Sequence, residues 1–581
     1  MLSPTLFNIA INDIVQQVLP PAKISLFADD MTVFLSCANP QLGQQVLQDI
    51  INNLQLWTTN NGFNFSTNKT VAMHFCRRRR CNHDIRVTLS GIEMPKVSET
   101  RYLGVIFDER LRWDSHISKL KLSCTPKLNL LKKLAHSEYG SDRKCLLSTY
   151  RALVRSKLDY GSVAYSSARK SILNSLNTIQ HTGLRLAIGA YRTTPTISIK
   201  RDAEEWPLSL RRDHLTVSFL THILSTPNLP FKEKYQENTT ALHHRTSTIL
   251  QRLNLNLPAF CINPVTNFPP WLSPNIRTEL SLLELDKNST PHTTICSAFL
   301  ETSYSYNSYS FLYTDASKSS EGVGCALADS SHILVRCSLP DTFSILSAEL
   351  SAIKLAVDHV GNNSEDLNFV ICTDSLSAIH SILNVHSRTQ HVFAERIACL
   401  LHEIHNRVVL MWVPSHVGIA GNELADKGAK EAATLPPVRD IRTPRLDFRP
   451  LLKSAINSSW IEEWRNIQQP NKLKSVAPDP SSSPYSIGIG NRRNQVVYCR
   501  LRTGHSALTH GFLLQRNDPS MCSWCDCPLS IAHILVDCPR YSSDRRDIGL
   551  STTLQDIFRP DAESVHRLLD YAKKIQIYNL I

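Results

Sequence analysis

The chain has 581 residues, 42% hydrophobic and 20% charged, with 63 Lys and Arg against 51 Asp and Glu for a net charge of +12. One hydrophobic core cannot serve this length, so roughly three to five domains are expected. No apolar run nears the ~20 residues of a membrane span, and Met1-Leu-Ser-Pro-Thr5 lacks the basic and apolar segments of a secretory signal. Membrane and secreted classes are therefore set aside in favour of the nucleus or cytoplasm. The positive excess suits a polyanionic partner. Among 16 cysteines only Cys522, Cys525, Cys527 and Cys538 cluster, and the rest are expected reduced and mostly buried.

Residues 1–115 read as short strands (Lys23–Leu35, Val71–Phe75, Tyr102–Phe107) around a helix near Gln41–Asn60. Asp29 and Asp30 fall in the turn of an apparent hairpin, where adjacent acids are ordinarily solvent-exposed turn formers. Their setting argues for more. Leu2-Ser-Pro-Thr-Leu-Phe-Asn-Ile9, Phe27-Ala-Asp-Asp30, Gly62-Phe-Asn-Phe-Ser-Thr-Asn-Lys69 and Tyr102-Leu-Gly-Val-Ile-Phe-Asp108 resemble successive palm motifs of a reverse transcriptase of the non-LTR, jockey-like retrotransposon type. The resemblance implies a further metal-binding aspartate and nucleotide-holding fingers upstream of Leu2, so no polymerase activity is expected from this chain alone. Longer products with reverse transcriptase activity stay open. Arg77-Arg-Arg-Arg80 reads as a solvated surface, a phosphate contact or a nuclear import signal.

From 116 to 225 the spacing of Leu128, Leu131, Leu134, Leu146, Tyr150 and Leu153 predicts helices, in the position of a polymerase thumb. Residues 226–308, rich in Pro, Asn, Ser and Thr and including Asn267-Phe-Pro-Pro270, read as a connector.

Between 309 and 435 strands and helices become legible again. Phe311-Leu-Tyr-Thr-Asp315 is an apolar run ending in an acid, followed by strands at Gly322–Leu327 and Ile333–Leu339. A helix Ser344–Val360 carries Glu349 at the margin of its apolar stripe, and the strand Phe369–Thr373 ends at Asp374 before a helix Leu376–Leu383. After the strand Val408–Val413 comes a glycine-containing loop with His416, then a helix that Asn422 is expected to cap, placing Asp426 one turn in. A lone Asp at a strand end is usually a turn former or cap. Four gathered carboxylates repel one another, and bound cations, hard Mg²⁺ or Mn²⁺, make their coexistence sensible.

Tyr313-Thr-Asp-Ala-Ser317, Ala348-Glu-Leu350, Cys372-Thr-Asp-Ser375 and Trp412-Val-Pro-Ser-His416 with Gly421-Asn-Glu-Leu-Ala-Asp426 resemble, in order, the type 1 ribonuclease H family. The resemblance implies a mixed sheet flanked by helices, with two metal ions on Asp315, Glu349, Asp374 and Asp426 and a proton-transfer or product-release role for His416. It further implies endonucleolytic two-metal cleavage of the RNA strand of RNA–DNA hybrids, leaving 5′-phosphate and 3′-hydroxyl ends. Backbone near Ser317 and Ser375 and the side chain of Asn422 are the expected substrate contacts. The alternative is a catalytically inactive, nucleic-acid-binding retrotransposon remnant.

A linker at 436–484 precedes a tail, 485–581, in which Cys522, Cys525, His533 and Cys538 have the spacing C-x2-C-x7-H-x4-C of a tetrahedral Zn²⁺ site, with Cys527 as substitute ligand. Trp524 and the run Arg500-Leu-Arg-Thr-Gly-His505 would suit single-stranded RNA or DNA. A purely structural zinc clip is the competing reading.

Overall fold

The computed structural model describes residues 2–78, 85–237, 240–262, 273–363, 367–384, 391–438, 440–468, 470–478 and 489–581. Arg79, Arg80 and the Asn267-Phe-Pro-Pro270 stretch lie outside the described residues. The chain divides into two compact units, residues 1–212 with 464–581, and residues 213–463. Among the described residues no helix is long and apolar enough to cross a membrane.

In the first unit, strands Lys23–Phe27 and Asp30–Phe34 pair in register Phe27↔Asp30, so Ala28 and Asp29 form the two-residue turn. The helix Pro40–Asn60 follows its Asn39 cap, and its Ile50, Leu54 and Trp57 meet Ile11 and Ile14 in a small core. Tyr102–Phe107, expected as one strand, is a hairpin: Glu99–Tyr102 pairs with Val105–Asp108 around Leu103 and Gly104, both at positive φ. Of Val71–Phe75 only Ala72 makes a β-bridge, to Lys96. The apolar pattern shows where chain is extended but not where it reverses.

The helical region packs around Ile117, Leu131, Leu146, Tyr150 and Leu184, with Leu128 and Leu153 against this core. Leu134, assigned to the same stripe, is exposed. The tail has its own core of Val497, Leu501, Ile534, Leu568 and Leu569, yet it is joined to the helical region by buried polar contacts. Arg492 donates to the carbonyls of Leu186 and Ala187 at 2.9 Å each, the open C-terminal end of the helix Asn177–Ile188. Asp202, fully buried, pairs with Arg143 at 3.1 Å and Arg502 at 3.3 Å. Removing one partner of such a buried pair typically costs 3–5 kcal/mol, so these contacts bind tail and helices together.

The second unit is built on one six-stranded sheet, its elements labelled here from its own start. Those of the sheet and of the helices between its strands are β1 (Arg277–Glu279), α1 (His292–Tyr304), β2 (Tyr309–Lys318), β3 (Val323–Ala328), β4 (Ile333–Leu339), α2 (Ile345–Gly361), β5 (Asn368–Thr373), α3 (Leu376–Leu383), α4 (Val392–Glu403) and β6 (Val408–Trp412), followed by α5 (Ala420–Ala433); the unit also has helices Pro230–Gln236 and Ala241–Arg252 and most of Arg445–Arg465, the last inside the stretch expected to be a linker. The strand order is β4-β3-β2-β5-β6-β1. β4, β3 and β2 form an antiparallel meander, whereas β2, β5, β6 and β1 run parallel. β2 and β5, buried on both faces, read as continuous apolar runs for that reason.

Part of the stretch expected to be a connector belongs to this fold. β1 extends the sheet beyond β6, and Ile295 and Phe299 of α1 pack with Tyr313, Val370 and Met411. A three-residue strand holds too few alternations to register as periodic, and α1 is rich in Thr and Ser, so neither stood out.

Candidate functional site

Three segments converge where β2 and β5 lie side by side. Register pairs Thr314 with Thr373, and the Thr314 hydroxyl donates to the Cys372 carbonyl at 3.1 Å. The strands therefore deliver Asp315 and Asp374 next to each other. α2 starts at its Ser344 cap, which accepts from Ser347 N, and Ala348, Ala352 and Ala356 let it lie close on the sheet so that Glu349 reaches the same point. One carboxylate oxygen from each of Asp315, Glu349 and Asp374 lies within 4.8 Å of the others.

α5 brings the fourth acid. Gly421 stands against the Tyr313 ring, where a Cβ would sit 2.2 Å from Cε2, and Gly324 of β3 meets the Ala429 carbonyl, where a Cβ would be 2.4 Å away. Only glycine permits this approach, and it sets Asp426 within hydrogen-bonding reach of Asp315. Lys430 pairs with Asp426 at 2.6 Å. His416, at positive φ on the loop before α5, Glu423 and Asp426 form a second group of ligand atoms within 4.8 Å.

The gathered carboxylates repel one another and are partly cut off from water. Burial, then the Asp374 charge and with it Asp426, push the Asp315 carboxyl up to about 8. Burial, then Asp315 and Asp374, push Glu349 up to about 9. Asp374 is also raised by burial, opposed by the His416 charge and by a hydrogen bond from Asn422. Glu349 Oε2 is buried without a hydrogen-bond partner. Crowded, acceptor-only oxygens with an orphaned lone pair are what a hard divalent cation satisfies, so the donor set fits one.

The structure thus gathers Asp315, Glu349, Asp374 and Asp426, with His416 beside them. Asn422 differs from expectation: Ile419 occupies the cap position, and Asn422 is a buried residue of the first turn whose amide holds Asp374. Ser317 and Ser375 are half-buried, and Ser375 caps α3 by accepting from Ala378 N at 3.4 Å. Sequence reasoning missed Glu423, although its place three residues before Asp426 on the same helix put it on a neighbouring face. It missed Trp412 as well, whose indole N–H reaches the Asp374 carbonyl.

In the tail, Cys522, Cys525, His533 and Cys538 gather within the same 4.8 Å limit. Cys538 Sγ lies 3.8 Å from both Cys522 Sγ and Cys525 Sγ. A tetrahedron with Zn–S bonds of ~2.3 Å has an edge of about 3.8 Å, so the thiol spacing fits the ion. Cys527 sits outside this group, 3.7 Å from the His533 ring nitrogens. Trp524 is 69% exposed. The run 500–505 is not a solvent-facing basic patch: Arg502 is buried on Asp202, Arg500 donates to the Gly189 carbonyl, and His505 bonds Thr193. Asp29 and Asp30 are exposed, and among the described residues they join no other Asp, Glu, His or Cys in a ligand-sized group.

Two regions of the chain match known families. Residues 1–107 match the reverse transcriptase (RNA-dependent DNA polymerase) family, and residues 307–434 match the RNase H family. The RNA-directed DNA polymerase from mobile element jockey of Drosophila melanogaster is 23% identical over 234 residues, 39% of this chain and 25% of the relative. The jockey polymerase of Drosophila funebris is 27% identical over 199 residues, 33% of this chain and 21% of the relative. The chain thus spans about a quarter of the length of these curated relatives. The solved structure of LC11-RNase H1, isolated from compost, overlaps 22% of this chain and 98% of its own at 16% identity, with a TM-score of 0.19.

Proposed function

Because this chain is a non-LTR retrotransposon-derived protein with a partial reverse transcriptase region and an RNase H domain, we propose that it hydrolyses the RNA strand of RNA–DNA hybrids. The observation that carries this reading is the convergence of Asp315, Glu349 and Asp374 from two strands and a helix, joined by Asp426 from a second helix. These four would hold two Mg²⁺ or Mn²⁺ ions. When bound, the ions supply charge stabilisation at the scissile phosphate and activation of water.

The chain's own groups do the rest. Asn422 and Trp412 fix Asp374 from its carboxylate and carbonyl ends. His416, exposed on its loop, passes a proton to the leaving 3′ oxygen or aids product release, with Glu423 3.9 Å away to orient it. Backbone groups at Ser317 and Ser375, next to Asp315 and Asp374 in the chain, would meet 2′-hydroxyls, which distinguish RNA from DNA. Asn422 acts on substrate through Asp374. The products carry 5′-phosphate and 3′-hydroxyl ends.

In the tail, Cys522, Cys525, His533 and Cys538 hold Zn²⁺ as a structural clip, and Trp524 offers a stacking face for single-stranded nucleic acid. We place its action in the nucleus or cytoplasm, where thiols stay reduced and nucleic acid is the polyanion at hand. The test is incubation of an end-labelled hybrid with the full chain and Mg²⁺: RNA-strand cleavage abolished by chelator supports the reading, and an intact RNA strand opposes it.

A further inference from the structure

Outside the carboxylate cluster, the β3–β4 pair carries two thiols that the proposed chemistry does not use. Cys325 and Cys337 are register partners in the antiparallel ladder, flanked by Ala326↔Arg336 and Gly324↔Ser338. Directly opposed residues in such a ladder have Cα atoms about 4.5 or 5.5 Å apart, and both values fall within the ~4.4–6.8 Å that a disulfide spans. Opposed side chains leave the sheet on the same face, here towards α2, where Cys325 is a core residue and Cys337 packs at the margin. The two thiols lie close enough to interact with each other.

Access is unequal in a useful way. β4 is an edge strand, and Cys337 is half-buried while Cys325 is fully buried. An oxidant can reach Cys337 first and find a resolving thiol already beside it. The Cys325 thiol beside it lowers the Cys337 thiol to about 7, which favours the thiolate that attacks. Cys325 also lies opposite Ala316, next to Asp315.

We infer that Cys325 and Cys337 are a redox modification site, closing into a cross-strand disulfide when the protein meets a peroxide. The Cys337 thiolate attacks a peroxide oxygen; the O–O bond breaks, an S–O bond forms, and with hydrogen peroxide the departing hydroxide takes up the proton that the thiol released and leaves as water. The Cys325 sulfur then attacks the Cys337 sulfenic acid; the S–O bond breaks, the S–S bond forms, and a second water leaves with the remaining thiol proton. The dithiol gives up two electrons and the peroxide accepts them. A dithiol reductant reverses the bond by thiol–disulfide exchange.

The experiment treats the reduced, folded full chain with stoichiometric hydrogen peroxide, caps remaining thiols and maps tryptic peptides. Trypsin cuts after Lys318, Arg336 and Lys354, so the bond joins peptide 319–336 to peptide 337–354. The expected result is that the joined pair becomes the main form of these peptides, returns to separate peptides with dithiothreitol, and is absent from Cys337→Ser and Cys337→Ala chains. Two peptides that stay separate, with Cys337 capped as thiol or carrying a sulfinic acid, would overturn the proposal. So would a main bond from Cys337 to any other cysteine.

Discussion

The indole N–H of Trp412 donates to the main-chain oxygen of Asp374 at 3.0 Å, tying the end of β6 to the acid that follows β5. The same oxygen accepts from Leu376 N at 3.2 Å, so the carbonyl serves both the turn into α3 and the neighbouring strand. Trp412→Phe keeps an aromatic ring and deletes the donor. We expect a stability loss of about 1 kcal/mol, typical of one hydrogen bond. Hybrid cleavage should fall several-fold, with more Mg²⁺ needed for half-maximal rate. Urea unfolding and a Mg²⁺ titration of the rate check both, and a variant that matches the wild type in both would remove Trp412 from the account.

Gly421→Ala tests how α5 is placed. Its new Cβ would lie 2.2 Å from Tyr313 Cε2, a distance that forces the ring or the helix to move. Overpacking of this kind typically costs 1–3 kcal/mol. The displaced helix carries Asp426 away from Asp315, so thermal melting and metal affinity should drop together. A lower melting temperature with unchanged metal affinity would show that Asp426 does not depend on this contact.

The crowded carboxyls set the pH dependence of the metal-free unit. Glu349 is raised from 4.5 to about 9 and Asp315 from 3.8 to about 8, so the native state keeps protons that the unfolded chain releases. The native state thus binds more protons than the unfolded state above about pH 4, and stability falls as pH rises towards 8–9. In chelator, the urea midpoint of the RNase H unit should be lower at pH 8 than at pH 5. Mg²⁺ should reverse the trend, since it binds the deprotonated form. Glu349→Gln should flatten the slope; an unchanged slope would mean that its carboxyl is ionised in the metal-free protein.

Cys538→Ser removes the sulfur that lies 3.8 Å from two others in the tail cluster. Zinc content should drop from one ion per chain to much less than one. The tail shares buried contacts with the helical region, so the melting of that unit should fall too. Cys527→Ser should leave zinc content unchanged, and loss of the ion in that variant would move Cys527 into the ligand set.

Much of the nuclease site was legible in sequence because its acids sit at ends of apolar runs. Thr314-Asp315 and Thr373-Asp374 each close the apolar run of a strand buried on both faces, and Glu349 interrupts an alanine stripe. These are local signals. Contacts made across the chain were not legible. Nothing near Arg502 announces Asp202, roughly three hundred residues earlier, so its charge read as a nucleic-acid patch. Likewise Asn422 resembles a helix cap until the loop geometry places Ile419 there and turns the amide towards Asp374. β1 was invisible because three residues acquire a strand's identity only from their partner, β6.

The central claim is best tested by the rate of RNA-strand cleavage on a uniform RNA–DNA hybrid in Mg²⁺, comparing wild type with Asp374→Asn. The protein should retain β1 and α1, which a fragment starting near residue 305 would lack. Asp374→Asn is nearly isosteric but removes a charge that the cluster needs to hold metal. The rate should fall by about 10²–10³-fold, the range seen when a principal electrostatic group is removed from an active site. Equal rates for the two proteins, or cleavage that persists in chelator, would contradict it.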